Sequence, residues 1–250
     1  MSPALHLQET RAARVARAVS AASDHLARLQ NSAGWWCAEL TADSTLESDY
    51  ILVELWRHPP HGREWNPPSR ALVERAVESI LARQLPDGGF NIYEQGPSEI
   101  SATVKAYFAL KVAGVAPDNP RMERARDRIL ALGGLQAANS YVKINLSLFG
   151  QYPREHVPSI PPELMLAGDF IYRMSSWTRA IVVSLAIVHA HNPRRPVPDG
   201  FSLDEIVAPG VPLGFRPYAG VFSWRNFFLW VDRALKLWVK RGPRWLRARA

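Results

Sequence analysis

The chain holds a single cysteine, Cys37, in 250 residues. That excludes an internal disulfide framework and fits a reducing compartment. Long apolar runs are missing too. The longest, Ala180 to Ala190, is broken by Ser184 and His189 and is too short to span a bilayer. The opening MSPALHLQETRAARVARAVS has no apolar signal-peptide core. Metal-ligand sets are also lacking: His189 and His191 do not share a helix face, His58 and His61 sit in a proline-rich loop, and neither pair has the further ligands of a zinc site. Gly88-Gly89 lacks the surroundings of a phosphate-cradling loop. No metal and no cofactor is therefore expected. The net charge of +7 comes from 30 Lys and Arg against 23 Asp and Glu, but no zinc finger, RNA-recognition sheet or helix-turn-helix signature accompanies it. Nucleic acid is not an expected partner. These absences point to a cytoplasmic protein that touches a membrane, if at all, from one side.

What is present is helical patterning with an internal repeat. Gln30 stands four residues before Gly34 and six before Trp36; Gln84 stands four before Gly88 and six before Phe90. Each copy follows an apolar helix end and precedes a helix-start signal, and a period of 54 residues suits one helix pair per unit. A glutamine amide both donates and accepts, so it can bridge the unpaired carbonyls of one helix end and the N–H groups of the next helix start. Glycine permits the positive φ of the reversal, and the ring covers the amide from water. Gly133-Gly134 occupies the same place without the glutamine or the aromatic, so the third repeat is degenerate. Helices are expected over Arg11 to Gln30, from Ser44 (with Glu47 as a capping-box partner), over Arg70 to Gln84, from Ser98 to about Gly114, over Arg121 to Leu132, Gln136 to Phe149, Tyr172 to His191, and through Phe222 to Arg241. Arg11, Arg14 and Arg17 form one solvated face. The fold expected is all-α: an α/α barrel or toroid of antiparallel helix pairs.

Four stretches carry a specific likeness: GWWCAELTADSTLESDYIL (34–52), LPDGGFNIYEQGPSEISATVKAYFALKVAG (85–114), FGQYPREHVPSIPPE (149–163) and SWTRAIVVSLAIV (176–188). In that order they resemble the N-terminal region of the squalene–hopene cyclases, terpene cyclases with glutamine–aromatic repeats. The resemblance implies a helix in 1–33 belonging to the family's catalytic barrel, an inserted α/α-barrel over 34–220, and a basic amphipathic helix and tail over 221–250. It also implies one wall of a deep apolar cavity for squalene or a related polyprenoid. Cyclisation there needs a strong acid to protonate an alkene and a dry cavity lined with aromatic faces.

The family's acid lies in an Asp-x-Asp-Asp motif. This chain has no Asp-x-Asp and no Asp-Asp, and no Gln-Pro-Pro-Trp segment, so no catalytic residue is expected and the chain alone is expected to be inactive. A C-terminal catalytic barrel, in cis or as a separate chain, is the implied partner. The alternative is a stand-alone, non-catalytic α-toroid that binds isoprenoid lipid at a membrane surface. Substrate-binding positions follow from the likeness. Trp177 matches a cavity tryptophan, and Asp49 an acidic position near the acid site. Met174 and Val182 match the constriction leading into the cavity, and Tyr172 lies on the same segment. Asn145 stands where relatives often carry tryptophan, and the loop 166–170 is shorter than theirs.

The segment FSWRNFFLWVDRALKLWVKR (222–241) places Trp224, Phe227, Phe228, Val231, Leu235 and Trp238 at helical spacing, with Arg225, Asp232, Arg233, Lys236 and Lys240 opposite. Trp230 and Leu237 widen the apolar side. Aromatics facing basic residues describe an interfacial helix, and Lys240, Arg241, Arg244, Arg247 and Arg249 add charge suited to anionic lipid. Trp224, Phe227, Phe228, Val231 and Trp238 are the expected membrane-binding residues of a monotopic protein on the inner membrane face. Packing against an absent second barrel is the competing reading of the same helix.

Overall fold

The computed structural model describes residues 10–37, 43–60, 62, 64–166, 168–214, 223–242 and 245, with residue 170 described by its backbone alone. Arg244, Arg247, Arg249 and His61 lie outside the described residues. Eight α-helices occur among those described: α1 Arg11–Leu29, α2 Thr45–Arg57, α3 Arg70–Ala82, α4 Ile100–Val112, α5 Pro120–Ala131, α6 Ser140–Leu148, α7 Ser176–His191 and α8 Trp224–Arg241. The fold is all-helical, and short 3-10 turns make the only other regular structure described. Two compact units form, Met1–Thr41 and Ala42–Ala250.

In the first unit, α1 starts at Thr10, whose hydroxyl accepts the Ala13 N–H at 3.3 Å, and its arginines stand in solvent. The glutamine motif closes it: Gln30 Nε2 donates to the Gly34 carbonyl at 2.7 Å, where Gly34 has φ +87°. Trp36 is exposed rather than laid over the amide, and its indole N–H donates to Leu26 O at 2.6 Å.

The second unit is organised around α4. Its sequence ISATVKAYFALKV is apolar on every side, the pattern of a helix with no solvent face, and Ser101 through Val112 are all buried. α2, α3, α5 and α6 pack around it. Phe108 stacks edge-on against Phe149 (5.8 Å between centroids), and Trp56 of α2 meets the same ring at 5.9 Å. Two lysines are carried into this interior, and each is neutralised. Lys105 pairs with Asp49 of α2; Lys111 pairs with Glu205, which also accepts the Tyr107 hydroxyl at 2.9 Å. Burial, then the Glu205 carboxylate, push the Tyr107 phenol above its ordinary range, so it remains a donor at any working pH.

At the second repeat the amide bond recurs, from Gln84 Nε2 to Gly88 O at 2.9 Å, and a second bond reaches Arg121 O at 2.8 Å in the first turn of α5. Gly88 has φ +86°, and a Cβ there would stand 2.5 Å from the Arg124 carbonyl oxygen, so only glycine fits. Phe90 is buried, as a covering ring should be. The third turn does lack the motif's own glutamine, yet Gln136, just beyond it, does the tying. Its Nε2 donates to Ala208 O and Val211 O, both at 2.9 Å, and its Oε1 accepts the Ala208 N–H at 3.0 Å. Replacing Gln84 with leucine should cost about 1–3 kcal/mol, because two backbone acceptors lose a donor; urea titration of the variant checks it.

Three local expectations change. The helix expected from Gln136 starts only at Ser140, after a 3-10 turn at Leu135–Ala137, because the Asn139 side chain accepts the Val142 N–H at 3.0 Å and caps it there. Ser44 and Glu47 form no capping box. The Asp43 carboxylate accepts the Thr45 N–H at 2.9 Å instead, and Glu47 reaches across to α3, accepting from Ser79 at 3.0 Å and pairing with Arg83 at 3.1 Å. α7 begins at Ser176 rather than Tyr172, because the Ser175 hydroxyl takes the Thr178 N–H at 3.1 Å and caps it there; Gly168–Arg173 is a 3-10 segment.

Candidate functional site

Between α2, α6 and α7 lies an open cleft of about 450 Å³, within the size range of small-molecule sites. α2 contributes Asp49, Leu52, Val53 and Trp56 at the i, i+3, i+4, i+7 spacing of one helix face. α6 brings Tyr141, Asn145 and Leu148, again one face, and Phe149, Val188 and Pro193 complete the wall. The lining is therefore mainly apolar and aromatic, with a carboxylate and an amide set into it.

Asp49 is held in place from behind. Lys105 Nζ lies 2.9 Å from each carboxylate oxygen, and the lysine side chain is only 7% exposed while that of Asp49 is 41% exposed. The buried ammonium fixes the carboxylate and leaves its outer lone pairs toward the cleft. The cleft also stacks a guanidinium on its aromatic wall, with Arg195 Cζ 5.1 Å from the Trp56 ring centroid.

The other substrate positions expected from the sequence are not in this lining. Trp177 and Tyr172 stand 76% and 73% exposed. Arg179 lies 5.9 Å from the Tyr172 ring centroid, and Met174 and Val182 are half-buried. α7 nevertheless links Trp177 to the cleft. Trp177 precedes Val188 by eleven residues, close to three full turns, so both fall on one face about 16 Å apart. Sequence reasoning missed Lys105, Trp56 and Tyr141. For Lys105 a signal existed, a charge in the middle of an otherwise apolar helix, which is stable only with a partner.

The second feature is α8. Ser223 caps it, accepting the Asn226 N–H at 3.1 Å. The face turned to the protein is mixed: Asp232 Oδ1 accepts the Ser159 N–H at 2.7 Å and pairs with Lys236, Asn226 is buried, and Leu229, Leu235 and Val239 are half-buried beside them, while Arg225, Arg233 and Lys240 are exposed. Trp224, Phe227, Phe228, Trp230, Val231, Leu237 and Trp238 are exposed. Trp224, Phe227 and Phe228 form one ring cluster with centroids 5.5–6.2 Å apart. The helix thus has more apolar surface than one inward stripe can cover, and the surplus rings face outward. Among the described residues no helix is long and apolar enough to cross a membrane.

Beneath α8, burial and the neighbouring Arg154 hold the His189 imidazole down to about 4. A folded-state value below the unfolded one means the unfolded chain binds the proton first. The stabilisation is thus complete above about pH 6.5 and is lost as pH falls toward 4. Allowing for partial exposure, about 2 kcal/mol is at stake. A His189→Leu variant should lack this part of the acid destabilisation in urea titrations at stepped pH.

Fold and cleft together define a helical repeat protein with glutamine-tied turns, an apolar cleft and an outward-facing aromatic helix. The chain belongs to the squalene–hopene cyclase family: the family model described as the squalene-hopene cyclase N-terminal domain matches residues 19–250. It is 37% identical over 237 residues to the squalene–hopene cyclase of Zymomonas mobilis, covering 93% of this chain and 35% of that protein. To the squalene–hopene cyclase of Alicyclobacillus acidocaldarius it is 32% identical over 224 residues, 88% of this chain and 34% of that one. A dammaradiene synthase of Dryopteris crassirhizoma is 28% identical over 231 residues, 90% and 32% of the two chains. The chain spans about a third of the length of these curated relatives. Its fold belongs to the α/α-toroid class of the family.

Proposed function

We propose that this chain supplies one wall of the substrate channel and the membrane dock of a squalene–hopene-type cyclase, and that it forms no hopanoid by itself. The observation that carries the reading is the apolar cleft with its lysine-anchored Asp49, in a chain that matches the family's N-terminal domain and contains no Asp-x-Asp-Asp. The cleft offers Trp56 and Phe149 faces to a polyene, while the strong acid that must protonate the terminal alkene has to come from a catalytic barrel beyond these residues. Trp177 extends the wall along α7, with Tyr172, Met174 and Val182 near the way in. α8 lays Trp224, Phe227, Phe228, Val231 and Trp238 into the inner membrane face, from which squalene is drawn.

The experiment is direct. Squalene in detergent should quench tryptophan fluorescence of the purified chain, and Trp56→Phe should remove most of that response. Gas chromatography after prolonged incubation should show no pentacyclic product. Product from the chain unaided would overturn the inactive-alone reading, and no quenching would overturn the channel reading. A stand-alone isoprenoid-binding toroid predicts the same quenching but no product even when a separately made Asp-x-Asp-Asp barrel is added, whereas the cyclase reading predicts turnover.

A further inference from the structure

A second cleft, of about 680 Å³, opens between Arg154–Ser159, the C-terminal end of α7 and the last turns of α8. Four cations line it, Arg154, Arg194, Lys236 and Lys240, against one carboxylate, Glu155. Lys236 is committed to Asp232. The other three have no ion-pair partner among the described residues. Arg154 is half-buried and spends two of its five donors on the Ser147 hydroxyl (3.0 Å) and the Val188 carbonyl (3.4 Å). Burial, and Arg194 beside it, hold its guanidinium below the usual range, so the two like charges stand close. His189 Nε2 is buried here with no hydrogen-bond partner.

Part of this charge answers the helix ends. α7 and α8 both finish at this cleft, each with about half a negative charge, and Glu155 offsets one more cation. Against three unpaired cations, a surplus of about one positive charge remains. A half-buried guanidinium fork beside a second guanidinium, a lysine and the Ser159 hydroxyl suits a tetrahedral oxyanion.

We propose that this cleft binds phosphate, supplied by the headgroup of an acidic phospholipid when α8 lies on a membrane. The apolar face of α8 points away from the protein, so a helix lying at the interface would keep Lys240, on its flank, at headgroup depth. Acyl chains would then run along the exposed rings while the phosphate turns in beneath the helix. The proposal rests on the membrane-docking reading for the source of the phosphate, and the test separates the two.

The probe is vesicle flotation of the full chain with phosphatidylcholine alone or mixed with phosphatidylglycerol. It is run in about 0.5 M salt, where surface attraction is screened within about 4 Å. Two double variants remove the same charge from exposed positions: Arg194→Gln with Lys240→Gln in the cleft, and Arg233→Gln with Arg241→Gln outside it. Wild type and the outside variant should prefer the phosphatidylglycerol vesicles about tenfold or more, the size of one good charge-assisted bond, and the cleft variant should lose that preference while still binding phosphatidylcholine. Equal loss in both variants, or no preference in wild type, would sink the phosphate site. Failure to bind either vesicle would sink the docking reading instead. Inorganic phosphate, followed through the His189 ring resonances, should perturb wild type but not the cleft variant, and should compete with phosphatidylglycerol. Perturbation without competition would overturn the lipid source.

Discussion

Serine at Trp224, Phe228 and Trp238 together should weaken binding to phosphatidylcholine vesicles about a thousandfold while leaving the fold intact. All three rings are at least 42% exposed, so their removal opens no cavity in the protein. Fully burying one such side chain contributes about 1.5–3 kcal/mol. With insertion only part-way into the headgroup boundary, about 4 kcal/mol for the three is a fair figure, and every 1.4 kcal/mol is tenfold in affinity. Neutral vesicles are the right probe because they isolate the apolar contribution from the attraction of the basic residues to anionic lipid. Unchanged flotation would mean that a protein surface, not a bilayer, covers these rings. The anchoring keeps the rings outward. With Asp232 tied to Ser159 and Asn226 buried, the helix cannot roll its rings inward without leaving a buried polar group unpaired.

What could be read from the residues was the local chemistry with few solutions. A glutamine four residues before a glycine, at a helix end, has one good use for its amide, and Gln30 and Gln84 both make that bond. The all-helical class followed from periodicity in the same way, since apolar spacing fixes faces. Less legible was anything decided by long-range partners. Glu47 suited a capping box in sequence, but Arg83 and Ser79 offered a charged partner and a second donor from the next helix. Gln136 gave no motif signal because its acceptors lie more than seventy residues away. The site divides along the same line. Asp49 stands in the cleft lining, while the lysine that orients it comes from a helix whose depth in the core no local pattern reports. Trp177 and Tyr172 rest on the family likeness, which gives a position in the chain and not what covers the ring there.

The two buried lysines of α4 should respond very differently to loss of their partners. Glu205→Ala should lower stability by about 3 kcal/mol, near the lower figure for breaking a buried pair. In a chain of this size that is about 6–12 °C in Tm, readable by calorimetry. Lys111 is only 7% exposed, and losing Glu205 leaves it the Ser202 carbonyl alone, with Tyr107 deprived of its acceptor as well. Asp49→Asn should cost only about 1 kcal/mol. The Asp49 side chain is 41% exposed, so water screens the change, and the asparagine oxygen still accepts from Lys105. If that asymmetry holds, Asp49 contributes little to holding the fold together, and its lysine-anchored carboxylate in the cleft lining is free to serve a ligand. Squalene quenching in Asp49→Asn then becomes the informative readout. A changed affinity in a fully folded variant places Asp49 at the bound polyene, and an unchanged affinity with unchanged stability removes it from the site.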